Sequence, residues 1–251
     1  MVLIHSLRKD LTGMNNTFKP KGRRAIPDEL INFGRHLVYS EGTKTEPFYV
    51  ESIKKAIAEK YNCEANAIEI INGTTDESFN TIGLIKYGEK DIKKRMKNGE
   101  IINHVWFFFD HDEFVEQNYI KACKYENKIN NSEKENFEGF KYNKENHITY
   151  HCCWSNESFE LWLYLYFEYN DSKLTRNDYV DKLQKLSVLK QIKFNYKKNS
   201  EDIHQIFTSA GGSIEKAIAS AKKLTIKNEF NNPSTAIWKF AEYFKPYMKK
   251  R

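Results

Sequence analysis

Runs of apolar residues that stop abruptly at polar ones recur through the first two thirds of the chain. In the clearest case, the apolar run Val105–Phe109 ends at Asp110. An uninterrupted run of this kind predicts a strand that is buried on both faces, as the strands of a parallel sheet are. The strands predicted in this way are Gly34–Ser40, Ala67–Ile71, His104–Phe109 and Ile148–Cys153.

The segments that follow these strands have apolar residues at helical spacing. Thr45 followed by Pro47 predicts a capped helix start after the first strand, and the apolar pattern continues to Tyr61. The further helices predicted between strands are Ser78–Met96, Gln117–Ile129 and Glu157–Phe167. Because strands alternate with helices, we expect an α/β fold with a mainly parallel sheet flanked by helices.

The strand signal fades after residue 170, and only helical patterns follow it. These predicted helices are Tyr179–Leu189, Ser200–Phe207, Ser213–Leu224 and Thr235–Met248. The beginning of the chain is irregular and basic, above all at Lys19–Arg24. We therefore expect a basic N-terminal arm (residues 1–30), an α/β domain (31–170) and a helical C-terminal region (171–251) packed on that domain.

Charge and cysteine content narrow the class of protein. Lys and Arg number 40 against 34 Asp and Glu, and the net charge of +6 is compatible with a nucleic-acid partner without requiring one. The four cysteines form no CxxC pair, so neither a zinc site nor a disulfide framework is indicated. No apolar stretch approaches the roughly 18 residues of a membrane span, and the first residues lack the order of a secretory signal. We expect a soluble, cytoplasmic protein.

Glu41 is the first candidate for chemistry, because it directly follows the first predicted strand. Gly42 permits a sharp turn there, and the N terminus of the following helix favours anions such as phosphate. Thr43 and Lys44 are placed to contact such a phosphate. The alternative is that Glu41 is a surface loop acid and Thr45 an ordinary helix cap.

Asp110 and Asp112 follow the third predicted strand. On an extended backbone, residues i and i+2 face the same side, so both carboxylates can bind one metal ion while His111 points away. Function in parallel sheets collects beyond the carboxyl ends of the strands, and hard divalent cations take oxygen ligands. Together with Glu41, the pair predicts a site for Mg²⁺ or Mn²⁺. The alternative is a polar strand exit that caps the next helix.

A third group of acids follows the fourth predicted strand. Ser155 or Asn156 is expected to cap the next helix, while Glu157 and Glu160 are three positions apart and share a helical face. Glu160 lies within an otherwise apolar helix. It is therefore either on the solvent-facing stripe of that helix or directed at the site.

Signatures of other chemistry are missing from the sequence. There is no GxxxxGK[ST] phosphate loop, no GxGxxG and no nucleophile elbow. The seven histidines are scattered without metal-ligand spacing. His151, in the fourth predicted strand, is expected to be a packed strand residue.

The acidic strand ends together resemble the Toprim domain, in which a glutamate ends strand one and an Asp-x-Asp pair ends a later strand. A narrower resemblance, to the RloB family, spans roughly residues 34 to 240. Two positions depart from the family pattern, since His111 and Tyr166 stand where arginine and histidine are usual. The segments that carry the resemblance are SEGTKTEP (40–47), FDHDE (109–113), SNESFELWL (155–163) and NPST (232–235).

The resemblance implies a Toprim-like, metal-dependent nuclease that acts as an effector of antiphage defence, commonly beside an ATPase of the ABC/AAA type. In that role, Asp110 and Asp112 would hold Mg²⁺ or Mn²⁺, and Glu41 would be a ligand or the general base. Glu160 or Glu157 would hold a second ion. The choice between DNA and RNA such as tRNA, and the oligomeric state, stay open.

Contacts to the phosphates of the nucleic acid are expected from Lys44, Thr43, Asn156 and Lys197. The stretch Lys193–Lys198 mixes aromatic residues with lysines, which suits single-stranded nucleic acid or RNA loops, although a solvated charged face is the alternative. Two other functions stay open. One is a non-catalytic nucleic-acid-binding or regulatory subunit of a defence complex, and the other is nucleotidyl or phosphoryl transfer on a small nucleotide.

Overall fold

A computed structural model describes residues 34–61, 65–72, 81–111, 116–131 and 148–248. The predicted basic arm, which includes Lys19–Arg24, lies outside these described residues, and so does Asp112.

The described strands form a single sheet in the order β2-β1-β3-β4-β5. All of the pairings are parallel except that of β5 with β4. The predicted α/β fold with a mainly parallel sheet is therefore confirmed. Strand β5 was not predicted, because a strand of two residues is too short for a periodic signal. The strands are β1 (His36–Ser40), β2 (Ile68–Asn72), β3 (His104–Asp110), β4 (Thr149–Asn156) and β5 (Ser234–Thr235).

Helices cover both faces of this sheet. The helices within the described residues are α1 (Thr45–Tyr61), α2 (Thr81–Lys97), α3 (Glu116–Cys123), α4 (Tyr125–Asn131), α5 (Phe159–Tyr164), α6 (Arg176–Lys185), α7 (Ser187–Gln191), α8 (Ile203–Ser209), α9 (Ile214–Asn228) and α10 (Trp238–Phe244), followed by a 3₁₀ turn at Lys245–Tyr247. No helix among the described residues is long and apolar enough to cross a membrane.

Side chains alternate between the two faces along each strand, which divides the core in two. Phe108 belongs to the hydrophobic cluster on one face and its neighbour Phe107 to the cluster on the other. Cys152 and Cys153 are likewise buried on opposite faces, as the strand pattern predicted. Burial on both faces explains why the strands are uninterrupted apolar runs.

The C-terminal helices share one of these clusters with the sheet. Val38 of β1 and Tyr49 of α1 belong to the same buried cluster as Phe207 of α8 and Phe240 of α10. Helices α2, α3 and α4 contribute to the cluster on the opposite face. The C-terminal region is thereby held against the same sheet whose strand ends carry the acids.

Trp106 of β3 forms the contact with α10. The ring of His151 stacks on the indole with centroids 3.8 Å apart, and Phe240 meets it edge-on at 5.2 Å. Trp106 Nε1 donates a hydrogen bond to Nδ1 of His36 at 3.1 Å. Burial lowers the pKa of His151 to about 3. His151 is thus a packed strand residue, as predicted.

Strand β4 runs past the predicted end at Cys153, and this overturns one prediction about its exit. Ser155 and Asn156 pair with β5, and the hydroxyls of Ser155 and Thr235 are 2.9 Å apart. The prediction that Ser155 or Asn156 caps the following helix is therefore wrong. Helix α5 begins only at Phe159, after Ser158.

Two of the predicted helices are each divided in the structure. Gln117–Ile129 was predicted as one helix, but α3 ends at Cys123 and α4 begins at Tyr125. Tyr179–Leu189 is divided at Leu186, whose ψ of 122° leaves the helical region. Apolar periodicity continues across such a break, because both pieces bury the same face.

Candidate active-site cleft

A cleft of about 640 Å³ lies where the carboxyl ends of β1 and β3 meet the helices that follow them. Its position is the one that parallel sheets use for binding, beyond the carboxyl edge of the strands. Residues from the α/β part and from the C-terminal region contribute to its wall. They are Glu41, Gly42, Thr43, Lys44, Thr45, Glu46, Asp110, His111, Glu157, Phe159, Arg176, Asn177 and Lys198.

Glu41 is held at the mouth of β1 by the backbone around it. Its N–H donates a hydrogen bond to the carbonyl of Phe108 in β3 at 2.9 Å, which extends the sheet pairing by one residue. The Ser40 hydroxyl donates to the carbonyl of Gly42 at 2.8 Å and fixes the turn that follows. Glu41 therefore lines the cleft from a defined backbone position.

Glu46 is a second acid of this wall, and the sequence interpretation did not select it. It lies in the first turn of α1 and is only 7% exposed. Its carboxylate packs against Gly42, where a Cβ atom in place of the glycine hydrogen would come within 2.7 Å of Glu46 Cδ. The close approach explains why a residue without a side chain follows Glu41.

Burial raises the pKa of Glu46 from its ordinary value to about 7. A hydrogen bond from its own backbone opposes this effect, and the negative charge of Glu160 adds to it. The cations Arg176 and Lys198 act in the opposite direction. Glu46 thus changes charge near neutral pH, as a group that exchanges protons in a site needs to do.

Replacing Gly42 with Ala tests this packing. The added methyl group is expected to push the Glu46 carboxylate out of its buried position, so its pKa should fall by at least about one unit from the value near 7. The measurement is a ¹³C NMR titration of the side-chain carboxyl, with Glu46→Gln used to assign the resonance. A titration midpoint that stays near 7 in Gly42→Ala would show that Gly42 does not constrain the acid.

Asp110 stands at the end of β3, in register with Ser155 of β4. The next residue, His111, keeps this register with a 2.8 Å hydrogen bond from its N–H to the Ser155 carbonyl. Burial and the negative charges of Glu46 and Glu160 raise the pKa of Asp110 well above its ordinary value. Its side chain is 19% exposed, so it is accessible from the cleft while the charges of the buried acids act on it.

His111 follows Asp110 directly at the end of β3. It lines the same cleft as Asp110, and its ring meets the ring of Tyr119 edge-on with centroids 4.7 Å apart. Tyr119 belongs to the cluster on the face of the sheet opposite to that of Phe108, so this contact agrees with the alternation on which the i, i+2 argument rests. Asp112, the other half of the predicted pair, lies outside the described residues.

The structure decides between the two positions that the sequence left open for Glu160, the solvent-facing stripe of its helix or the site. It is 2% exposed in α5, so it does not lie on a solvent-facing stripe. The hydroxyl of Tyr196 donates a hydrogen bond to Glu160 Oε1 at 3.3 Å. Its charge acts on both Glu46 and Asp110, which places it behind the wall of the cleft rather than in it.

Glu157 lies in the cleft wall but not on the same helical face as Glu160. It precedes α5 in a bend, so the predicted i, i+3 relation is wrong. Its carboxylate accepts hydrogen bonds from the N–H of Arg176 at 3.2 Å and from the amide of Asn232 at 3.4 Å. Glu157 thus ties the C-terminal region to the edge of the cleft.

Basic side chains stand along the same cleft. Lys44 and Thr43 line it, as expected from their place after Glu41, and both are exposed. Arg176 and Lys198 line it from the C-terminal region. The sequence interpretation did not select Arg176, whereas Lys198 belongs to the predicted basic stretch Lys193–Lys198. The arrangement sets buried acids beside exposed cations, which is suited to a phosphodiester with a metal ion.

Two predicted phosphate contacts are not brought to the cleft. Asn156 is 8% exposed, and its amide donates a hydrogen bond to the Phe230 carbonyl at 2.8 Å. Lys197 is exposed but is absent from the cleft wall, where its neighbour Lys198 stands instead. Sequence position alone does not give the orientation of either side chain.

The donor chemistry of the cleft fits a hard divalent cation. Burial raises the pKa of Asp110, and the negative charges of Glu46, Glu160 and Glu41 raise it further, a repulsion that a bound cation relieves. Within the ranges that the structure describes, no group of three His, Cys, Asp or Glu is already arranged as metal ligands. Glu41 and Asp110 are the residues that would hold the ion, with Asp112 as the ligand predicted from sequence.

Comparison with protein-family models gives a match over residues 36–243, which is most of the chain. The matching model is described as RloB-like protein. Neither the comparison with curated proteins nor the comparison with solved structures returned a match.

Proposed function

Because this chain belongs to the RloB-like family, we propose that it is a metal-dependent nuclease that hydrolyses phosphodiester bonds of nucleic acid. The observation that carries the proposal is the convergence of Glu41, Glu46 and Asp110 on one cleft, with cations along its wall. A divalent cation relieves the repulsion among clustered carboxylates and stabilises the charge that develops on a phosphodiester during hydrolysis, while basic side chains bind its phosphates.

Each residue has a distinct task in this proposal. Glu41 and Asp110 would hold Mg²⁺ or Mn²⁺, with Asp112 as a further ligand. The ion, when bound, lowers the pKa of an attacking water and stabilises charge on the scissile phosphate. Glu46 takes a proton near neutral pH, because its pKa of about 7 matches that task. Lys44 and Thr43 hold a phosphate group beside the N terminus of α1.

The biological role that we propose is that of an effector in antiphage defence, with an ATPase of the ABC/AAA type as its partner. This part rests on the family resemblance alone. The choice between DNA and RNA such as tRNA is left to experiment, because the cleft chemistry recognises the phosphodiester that both share.

One observation favours a non-catalytic alternative. Among the described residues, no three potential ligands are yet arranged around a common point. A subunit that binds nucleic acid and signals to an ATPase would need the basic wall but not a metal. The alternative predicts binding of nucleic acid that is unaffected by divalent cations.

Assays of the purified full chain separate the nuclease from the non-catalytic binding subunit. End-labelled single- and double-stranded DNA, total RNA and tRNA are incubated with Mg²⁺ or Mn²⁺, with and without the co-purified ATPase. We expect at least one substrate to be cut, cutting to stop with EDTA, and excess metal to restore it. Cleavage that persists in EDTA, or binding without cleavage under all of these conditions, would contradict the proposal.

A further inference from the structure

Arg176 is a cation that directly contacts an acid of the cleft wall. Its Nη2 donates to Asp110 Oδ2 at 3.3 Å, and its side chain is 44% exposed. The guanidinium also lowers the pKa of both Glu46 and Asp110. Arg176 therefore supplies positive charge where the proposed metal ion would bind.

The backbone of Arg176 is fixed although its side chain is exposed. Its N–H donates to Glu157 Oε1 at 3.2 Å. Helix α6 is capped by Thr175 and Asp178, whose side chains each accept from the other's backbone N–H. Because the cap does not use the guanidinium, the start of the helix does not depend on the arginine side chain.

The contact between Arg176 and Asp110 is of a kind that a metal ion can replace. The pair is single and long, and its Arg176 partner is 44% exposed, so solvent screens it and it contributes little free energy. A divalent ion carries twice the charge and binds carboxylate oxygens at shorter distance. An ion on Asp110 would therefore displace the guanidinium into the cleft.

The surroundings of the displaced guanidinium favour a phosphate as its next partner. Lys198 and Lys44 line the same cleft, and Asn177 stands beside Arg176 at the start of α6. A guanidinium is less strongly hydrated than an ammonium and binds phosphate oxygens in bidentate fashion. Because the Arg176 side chain is 44% exposed, it is free to rotate toward such a phosphate.

We propose that Arg176 is an exchangeable counter-ion, which pairs with Asp110 until a divalent cation binds there and then grips a phosphate of the nucleic acid. The inference rests on the proposed function, and it adds the residue by which the C-terminal region joins the reaction. It predicts effects of opposite sign on metal binding and on nucleic-acid binding, which a purely structural role cannot produce.

The first test compares Arg176→Gln with Lys185→Gln. Both remove one positive charge from α6, but Lys185 is 74% exposed, pairs with Asp181 and does not line the cleft. We expect Arg176→Gln to bind Mn²⁺ about three- to tenfold more tightly, since the competing cation is gone. We expect Lys185→Gln to bind Mn²⁺ like the wild type. Isothermal titration calorimetry with Mn²⁺ alone gives the affinities.

The second test measures nucleic-acid binding by fluorescence anisotropy in Ca²⁺, with labelled RNA and DNA oligonucleotides at several salt concentrations. Arg176→Gln is expected to weaken binding about five- to tenfold and to reduce the slope of log K against log salt by roughly 0.7–0.9, the share of one phosphate contact. Lys185→Gln should leave the slope unchanged.

The outcomes separate this inference from the proposed function. Mn²⁺ binding by Arg176→Gln that is no tighter than that of the wild type, or an unchanged salt slope, overturns the exchange. Tighter Mn²⁺ binding with a reduced slope supports the exchange even if the wild type cuts no substrate, in which case the nuclease proposal alone fails. A circular-dichroism melting curve of Arg176→Gln that matches the wild type excludes loss of folding as the cause of weaker binding.

Discussion

Asp110→Asn is expected to lower the rate of nucleic-acid cleavage by about a thousandfold or more. The substitution keeps the size of the side chain but removes the charge that binds the metal ion at the end of β3. Because the amide oxygen can still accept from Arg176, the fold and the cleft should be retained. Glu41→Gln should have a loss of similar size, and Asp112→Asn as well if the sequence-based pair acts together.

The measurement is a single-turnover cleavage assay with Mg²⁺, normalised to folded protein. Asp181→Asn is the matched control, because Asp181 lies on α6 and is 65% exposed outside the cleft. This control should cut at the wild-type rate. If Asp110→Asn cut within a few-fold of the wild type, the acid would have no part in the chemistry.

Glu46→Gln is expected to stabilise the metal-free protein, which is the reverse of the usual result for a buried polar substitution. The pKa of Glu46 is raised from 4.5 to about 7, so the folded state binds the proton more tightly than the unfolded state. Ionised Glu46 therefore costs on the order of 3 kcal/mol at about pH 8. The neutral glutamine avoids this cost.

The free energy of unfolding of the wild type changes with pH in a definite direction. Between pH 4.5 and about 7, the folded protein holds a proton that the unfolded chain has lost, so wild-type stability decreases as the pH rises through this window. The gain from Glu46→Gln should consequently be near zero below about pH 4.5 and reach its full value above about pH 7.

Urea unfolding in EDTA at both ends of this window provides the measurement. Glu51→Gln is the control, since Glu51 lies on the same helix, is 46% exposed and pairs with Lys54 at 2.8 Å. The control should change stability by less than about 0.5 kcal/mol at either pH. A loss of stability in Glu46→Gln at the higher pH would show that the carboxylate is stabilised by its surroundings rather than repelled by them.

The acids of the cleft lower the stability of the metal-free protein. Burial raises the pKa of both Glu46 and Asp110, and the charge of Glu46 raises that of Asp110 further, which a protein under selection for stability alone would avoid. Such conflicts between local preference and the folded structure are concentrated at functional sites. The acids would then increase stability once a cation is bound.

The sheet and two of its acidic strand ends could be predicted because both depend on local patterns. A strand buried on both faces must be an apolar run, so Val105–Phe109 marks β3 without reference to the rest of the chain. The carboxyl ends of parallel strands meet at one edge, so Glu41 and Asp110 follow from the strand boundaries.

The other members of the cleft could not be found in this way. Glu46 lies in the first turn of α1, where an acid is ordinary because it complements the helix dipole. Arg176 and Lys198 reach the cleft only because the C-terminal region packs on the sheet. Local periodicity gives the helices of that region but not the direction in which they pack.

The most direct test of the account is the position of a metal ion. In a crystal soaked with Mn²⁺, the anomalous difference map should contain a peak within roughly 2.0–2.3 Å of carboxylate oxygens of both Glu41 and Asp110. Glu46 and Arg176 should be close by, with Arg176 no longer in contact with Asp110. Ordered carboxylates at saturating Mn²⁺ with no peak between them would contradict the assignment of this cleft as the metal-dependent nuclease site.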